Sequence, residues 1–235
     1  MSRANPAEDR SANPTAREPR LSIVIPAGPG DRAWGALLQA LPTSPEIERL
    51  LVLAEGDTVD AVPAATRCLT APAGRARQIN AGLRAARGGT VWVLHADSRL
   101  APHTFEAALA FARDGKAALG WFALGFFDGP MQMAINAFGA NVRSRVFGMP
   151  FGDQGLIAPR ALFLDVGGFD ESLGRGEDHA FVWAARRAGI PLRRLPGRVL
   201  TSARRYVEQG WWRTTREHLA LTWRQRRTFA SQPPR

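Results

Sequence analysis

The chain has 235 residues, 45% of them hydrophobic and 22% charged, the composition of one sizeable globular domain and not of a disordered chain. No apolar run approaches about 18 residues, which argues against a transmembrane helix, and the lone cysteine, Cys68, excludes an internal disulfide and a cysteine-built zinc site. The net charge of +10 is unevenly spread: residues 186–235 hold thirteen arginines against Glu208 and Glu217, while the rest of the chain is nearly neutral, so the basic end is suited to meet phosphate on a nucleotide, a lipid surface or a nucleic acid.

Residues 1–20 are polar, lack the apolar centre of a signal peptide and read as a flexible tail. Leu21–Ile25 reads as a strand ended by Pro26, followed by a Gly/Pro loop and a helical pattern through Leu41. Arg49–Leu53 and Thr66–Thr70 are further strand candidates, Arg75–Arg87 a helix closed by Gly88-Gly89, and Val91–Leu94 a buried-type strand. Strands alternating with helices predict parallel βαβ units. Beyond Asp97 the rhythm changes: helix over Pro102–Arg113, strand over Ala117–Phe126, long helix over Pro130–Phe147. A short strand at Gly155–Ala158, a helix from Arg160, a helix over Glu177–Ala188 and a basic, aromatic helix over Trp211–Arg227 complete an α/β sandwich.

Three places could carry chemistry. Asp97 directly follows the apolar run Val91–Leu94, at the carboxyl end of a strand, where open parallel sheets bind ligands. A carboxylate there could hold a divalent cation against a diphosphate, and could equally cap the next helix or a turn. Gly74-Arg-Ala-Arg-Gln-Ile-Asn-Ala-Gly82 offers Arg75, Arg77 and Asn80 around a helix start suited to phosphate, with a solvated helix face as the plainer reading. Neither a P-loop nor a dinucleotide fingerprint occurs. Glu177-Asp178 opens a helix after a Gly-rich loop, where acids match the helix dipole or could supply a general base.

In combination these strings resemble a family 2 glycosyltransferase of the GT-A fold over Leu21–Tyr206. The resemblance rests on Leu21-Ser-Ile-Val-Ile-Pro26, the Gly74–Gly82 string, Leu94-His-Ala-Asp-Ser98, Phe151-Gly-Asp-Gln-Gly-Leu156, Gly167-Gly-Phe169, Glu177-Asp178 and Thr201-Ser-Ala-Arg-Arg-Tyr206. It looks nearest to a short, soluble bacterial branch with the same H-A-D and G-D-Q-G wording. It implies a GT-A-like α/β/α sandwich with a mostly parallel central sheet, divided into a tail (1–20), a transferase domain (21–205) and a basic Trp-rich C-terminal helix (206–235). It implies Asp97 as the acid for a Mg²⁺ or Mn²⁺ ion, with His95 replacing the first acid of the family's D-x-D motif. It implies Asp178 as catalytic base with Glu177 beside it. Arg75, Arg77, Asn80, His95 and Arg205 fall on the donor diphosphate side, and Gly152, Asp153 and Gln154 on the acceptor side.

The chain departs from the family pattern at Pro29 and Gly30, where Asn-Glu is usual, and at Ala54, where an acid reads the nucleobase, with Glu55 adjacent. The expected reaction is inverting transfer from a nucleoside-diphosphate sugar to a hydroxyl acceptor, a lipid-linked one included. The alternative is a GT-A-like nucleotide- or sugar-binding protein that has drifted from catalysis. Nucleic acid is not expected as a partner, because the body is neutral and no zinc site, helix-turn-helix or RNP string occurs. Trp211, Trp212 and Trp223 among the arginines suit peripheral contact with a membrane from the cytoplasmic side, or a helix that packs its aromatics inward. His103 and His218 have no metal-ligand spacing.

Overall fold

The computed structural model describes residues 18–59, 61–217 and 220. The expected tail up to residue 17, and His218, Trp223 and Arg227 of the expected last helix, lie outside them. Strand β1 (Leu21–Ala27) is buried along its whole length and runs parallel to β2 (Ile47–Ala54) on one side and β4 (Thr90–Val93) on the other. Strand β3 (Thr66–Ala71) extends the parallel set beyond β2. Helix α1 (Trp34–Ala40) connects β1 to β2 and α2 (Arg75–Ala85) connects β3 to β4, while β2 and β3 are joined without a helix among the described residues.

Past β4 the pairing changes direction. Strand β7 (Ile157–Pro159) lies antiparallel between β4 and β6 (Leu119–Phe126), β8 (Leu192–Thr201) runs parallel to β6, and β5 (Arg99–Leu100) closes the edge antiparallel to β8. One eight-stranded sheet results, in the order β3-β2-β1-β4-β7-β6-β8-β5. Successive side chains of a strand point to opposite faces. Ile23 and Ile25 therefore join Trp34, Leu37 and Leu38 of α1 and Ala108 and Phe111 of α3 (Thr104–Asp114) on one side. Val24 joins Ile79 and Leu83 of α2, Phe163 of α5 (Arg160–Asp165) and Phe181 of α6 (Glu177–Arg187) on the other. The expected α/β/α sandwich is the observed architecture.

Pro26 does not end its strand. β4 pairs with β1 only as far as Val24, so the amide that Pro26 lacks falls beyond that ladder. β8 has no counterpart among the sequence-based strands; it contains Pro196-Gly197, a pair that favours turns. The structure absorbs these residues in a bulge: Trp121 pairs with Arg194 and Ala123 with Arg198. Gly197 has φ +99°, and a Cβ there would approach Thr104 Oγ1 to 2.6 Å. The continuous helix expected from Trp211 is instead preceded by a separate α7 (Arg204–Gln209), which the expected 205/206 boundary cuts. Gly210 at φ +85° breaks α7 from the helical residues 211–217. Among the described residues no helix is long and apolar enough to cross a membrane.

Helix α2 lies so close to β1 that a Cβ at Gly82 would stand 2.4 Å from Val24 Cγ1. In an open helix position Gly→Ala stabilises by about 1 kcal/mol. Gly82→Ala should instead destabilise by about 1–3 kcal/mol, since overpacking outweighs propensity. Gly139→Ala, in α4 (Met133–Phe147) with nothing within 4 Å, should stabilise. Urea midpoints at unchanged slope measure both.

Candidate active site

Residues 94–97 lead the chain out of β4, and Asp97 Oδ2 accepts a hydrogen bond from Thr201 Oγ1, at the end of β8, at 3.2 Å. The two halves of the sheet thus meet at this carboxylate. Asp97, Ser98, Arg99, Phe127, Ser202 and Arg204 line a pocket of about 190 Å³ above Ala33 and Ala36 of the α1 region. The Arg99 guanidinium lies 3.7 Å from the Phe127 ring centre.

Helix α6 starts at Gly176, whose φ of +88° lets the chain turn into the helix. Asp178 Oδ2 accepts the Gly152 N–H at 2.6 Å, and its Oδ1 accepts the His179 N–H at 2.8 Å. A Cβ on Gly152 would lie 2.9 Å from His95 Nε2 and 3.1 Å from Asp178 Oδ2, so only glycine lets these groups meet. Buried Glu177 pairs with Arg75 Nη1 at 3.3 Å. Burial, then the adjacent Asp178, push the Glu177 carboxyl up, while Arg75 opposes them. Burial, with Arg75, holds His95 down at about 4 despite Asp97 and Asp178. His95 is therefore a neutral imidazole near neutral pH, linking the Asp97 side of the basin to the Asp178 side.

The turn Gly152–Gln154 is held from within. Gln154 is fully buried; its Oε1 accepts from Ser144 Oγ (2.6 Å), Arg143 Nη2 (3.3 Å) and the Phe151 N–H (3.1 Å), and its Nε2 donates to Phe122 O (3.2 Å). Asp153 Oδ1 is buried with no hydrogen-bond partner. Burial raises Asp153 to about 6, with Asp178 adding to the shift and Arg143 opposing it. The Arg143 guanidinium sits 3.5 Å over the Phe151 ring centre. Burial, then Asp153, raise the Tyr206 phenol, so it too borders this basin.

The fold therefore gathers His95, Asp97, Gly152, Asp153, Glu177, Asp178 and Arg75, seven residues separated by up to 103 positions in sequence. It does not bring the others to open positions in the basin. The Asn80 amide is spent on Phe169 N and O and on Glu171 Oε1, and so anchors the turn before α6. Phe169 then stacks on Phe181 at 4.8 Å, which seats α6. Arg77 is exposed and donates to Ala73 O. Arg205 Nε donates to Gln209; because α7 starts at Arg204, it is Arg204 that reaches the Asp97 pocket. Ala54 is buried and Glu55 exposed; the carboxylate at that corner is Asp57, bound by Arg32 and the Gly30 N–H. Arg32 and its neighbours hold Asp57 below the usual carboxylate range. No local motif marks Asp57 and Arg143, which only contacts with distant residues reveal, and within the Thr201–Tyr206 string the sequence points to Arg205 where the structure puts Arg204 in the pocket wall.

Among the described residues no group of three or more His, Cys, Asp or Glu side chains could hold a metal ion. The one carboxylate facing the pocket, Asp97, fits Mg²⁺ chemistry of another kind, in which one or two carboxylates share the ion with substrate phosphates.

Asp153 supplies a test of this electrostatic arrangement. Its folded pKa, about 6, lies above the ordinary 3.8. Its protonated form therefore favours folding below about pH 4, and this contribution is lost as pH rises through about 6. Asp153→Asn should match wild type at pH 4 and exceed it by on the order of 2–3 kcal/mol at pH 8. Groups common to both proteins cancel in the difference. Urea unfolding at the two pH values reads it, and a gap that does not widen with pH contradicts the assignment.

Residues 68–143 match the model of glycosyl transferase family 2. No curated protein matches the chain in sequence. In structure the chain is similar to S. aureus TarS, with TM-score 0.53 and 17% identity over 78% of this chain and 35% of that one. It is similar to S. aureus TarS 1-349 (TM-score 0.54, 17% identity, 78% of this chain and 58% of that one). The complex of TarS 1-349 with UDP-GlcNAc gives TM-score 0.54 and 17% identity, over 78% and 56% of the two chains. The chain thus spans between 35% and 58% of the length of these structures. It has the GT-A fold, and the part of it that builds α2, β4, the Asp97 loop and most of α4 matches glycosyl transferase family 2.

Proposed function

We propose that the protein is an inverting glycosyltransferase of family 2 that moves a sugar from a nucleoside-diphosphate donor to a hydroxyl acceptor. The observation that carries this reading is the approach of Asp178, His95 and the Gly152 turn to one another, beside the Asp97 pocket. The family match over residues 68–143 supports it, as does the likeness in fold to a protein solved with UDP-GlcNAc.

In this reading the donor lies along the carboxyl ends of the strands with its diphosphate toward Asp97, Arg204 and Arg99. The acceptor hydroxyl approaches Asp178, whose carboxylate is oriented by the Gly152 and His179 amides. Asp178 takes the hydroxyl proton as the acceptor oxygen bonds to the anomeric carbon. The bond from that carbon to the diphosphate breaks on the opposite face, and the nucleoside diphosphate leaves with the bonding electrons, so configuration inverts. Neutral His95 can donate a hydrogen bond in the same basin without adding charge. A Mg²⁺ or Mn²⁺ ion held by Asp97 would supply neutralisation of the diphosphate charge. The acceptor is a hydroxyl compound, lipid-linked in the version that the basic, Trp-rich C-terminal end favours, with the enzyme at the cytoplasmic face of a membrane.

A second reading, a nucleotide- or sugar-binding protein without transfer, draws on buried Ala54, which offers no polar group to a base. Turnover separates the two. Asp178→Asn should keep UDP binding in the presence of Mn²⁺ and lower transfer or donor hydrolysis about 10²-fold or more. Asp97→Ala should lose the Mn²⁺-dependent part of UDP binding. Calorimetry with UDP and Mn²⁺, and product release from UDP-GlcNAc as the first donor, measure these effects. An Asp178→Asn protein turning over at the wild-type rate removes the base assignment, and a wild type that binds but never turns over a panel of donors favours the second reading.

A further inference from the structure

Helix α4 has two unlike faces. Its inner face builds the site: Asn141 exchanges hydrogen bonds with Leu124 N and O, and Arg143 and Ser144 reach Gln154. Its outer face, with the turn that leads into it, bears Met131, Ile135, Phe138, Val142 and Val146. Their spacing of four and three residues puts them in one stripe. They are 37% to 91% exposed, and Phe147 continues the patch. A contiguous apolar surface of this kind on a soluble fold marks a docking site.

The border of the stripe is aromatic and cationic. Trp211 Nε1 donates to Asn136 Oδ1 at 2.6 Å and Asn136 Nδ2 donates to Thr215 Oγ1 at 3.1 Å, which fixes the helical residues 211–217 against α4. The next residue, Trp212, is exposed, its ring centre 4.6 Å from that of Trp211. Arg145 lies on α4 itself, Arg213 and Arg216 lie on the helical residues fixed against it, with Arg213 paired to Glu217, and residues 129–152 contain no acid.

We propose that this face docks on an anionic lipid bilayer, with α4 lying in the plane of the interface, the stripe in the acyl boundary and the arginines at the headgroup phosphates. An apolar stripe on α4, with Trp and Arg on the segment bonded to it through Asn136, has the composition of an interfacial helix. A second copy of the chain fits less well, because an isologous dimer through α4 would set the same arginines against one another. The proposal deepens the reading of a lipid-linked acceptor, since the opposite face of α4 holds the Gly152–Gln154 turn. Its test does not use transfer, so the two can fail separately.

The test is flotation of the full chain with vesicles of phosphatidylcholine alone and of phosphatidylcholine mixed with phosphatidylglycerol, beside sedimentation of the protein without lipid. The chain is expected to float with the anionic vesicles only. Ile135→Glu with Phe138→Glu, both at exposed positions, should lower the bound fraction about tenfold or more while circular dichroism and thermal midpoint stay unchanged. Flotation that survives the double substitution overturns the proposal and assigns attachment to the basic C-terminal end. Absence of flotation overturns it outright. A dimer in solution that the double substitution dissociates, without flotation, assigns the face to a second copy.

Discussion

The side chain of Gln154 joins α4, β6 and the Phe151 turn at one buried point, beside the Asn141 bonds that also tie α4 to β6. Its carbonyl oxygen accepts from α4 and from the Phe151 amide, and its amide donates to β6. Such a buried amide has to satisfy its groups internally, since an unmade bond costs about 1–3 kcal/mol away from water. Gln154 follows directly on Gly152 and Asp153, and Gly152 lies against Asp178 and His95. The basin beyond that turn inherits its shape from this amide.

The basin keeps carboxylates closer together than solvent would allow. Burial raises Glu177 and Asp153, each pushed further by Asp178; Arg75 and backbone amides oppose this at Glu177, and Arg143 and Arg75 oppose it at Asp153. The arrangement lowers stability, which is the usual condition of sites shaped for chemistry and not for packing. His95 fits the same logic in reverse. As a neutral ring it sits within the electrostatic reach of both Asp97 and Asp178 without the charge that an acid at that position would add.

The site also explains why the polar residues of α2 are unequal. Gln78 is buried and donates to Ala27 O and Val52 O, tying α2 to the ends of β1 and β2. Asn80 ties the same helix to the turn before α6. One turn of helix thus sets the distance between the strand ends and the first acids of α6. Arg75, at its start, closes the gap by pairing with Glu177.

Much of the fold was legible from the order of residues alone. Apolar runs such as Leu21–Ile25 and Val91–Leu94, punctuated by Gly and Pro, announce buried parallel strands because burial on both faces leaves no room for alternation. Asp97 and Glu177-Asp178 were visible because a carboxylate after such a strand, or opening a helix, stands out locally. What only the tertiary structure decided is nonlocal. β8 hides behind Pro196-Gly197 because a bulge, set by its partner β6, makes room for them. Asn80, Arg77, Arg204 and Arg205 share composition with phosphate-binding residues, and only their partners in space separate anchor, solvated surface and pocket wall. Arg143 and Asp57 carry no local mark at all. Periodicity and turn chemistry act over a few residues and can be read from sequence, whereas the pairing of buried charges depends on distances that exist only once the sheet has closed.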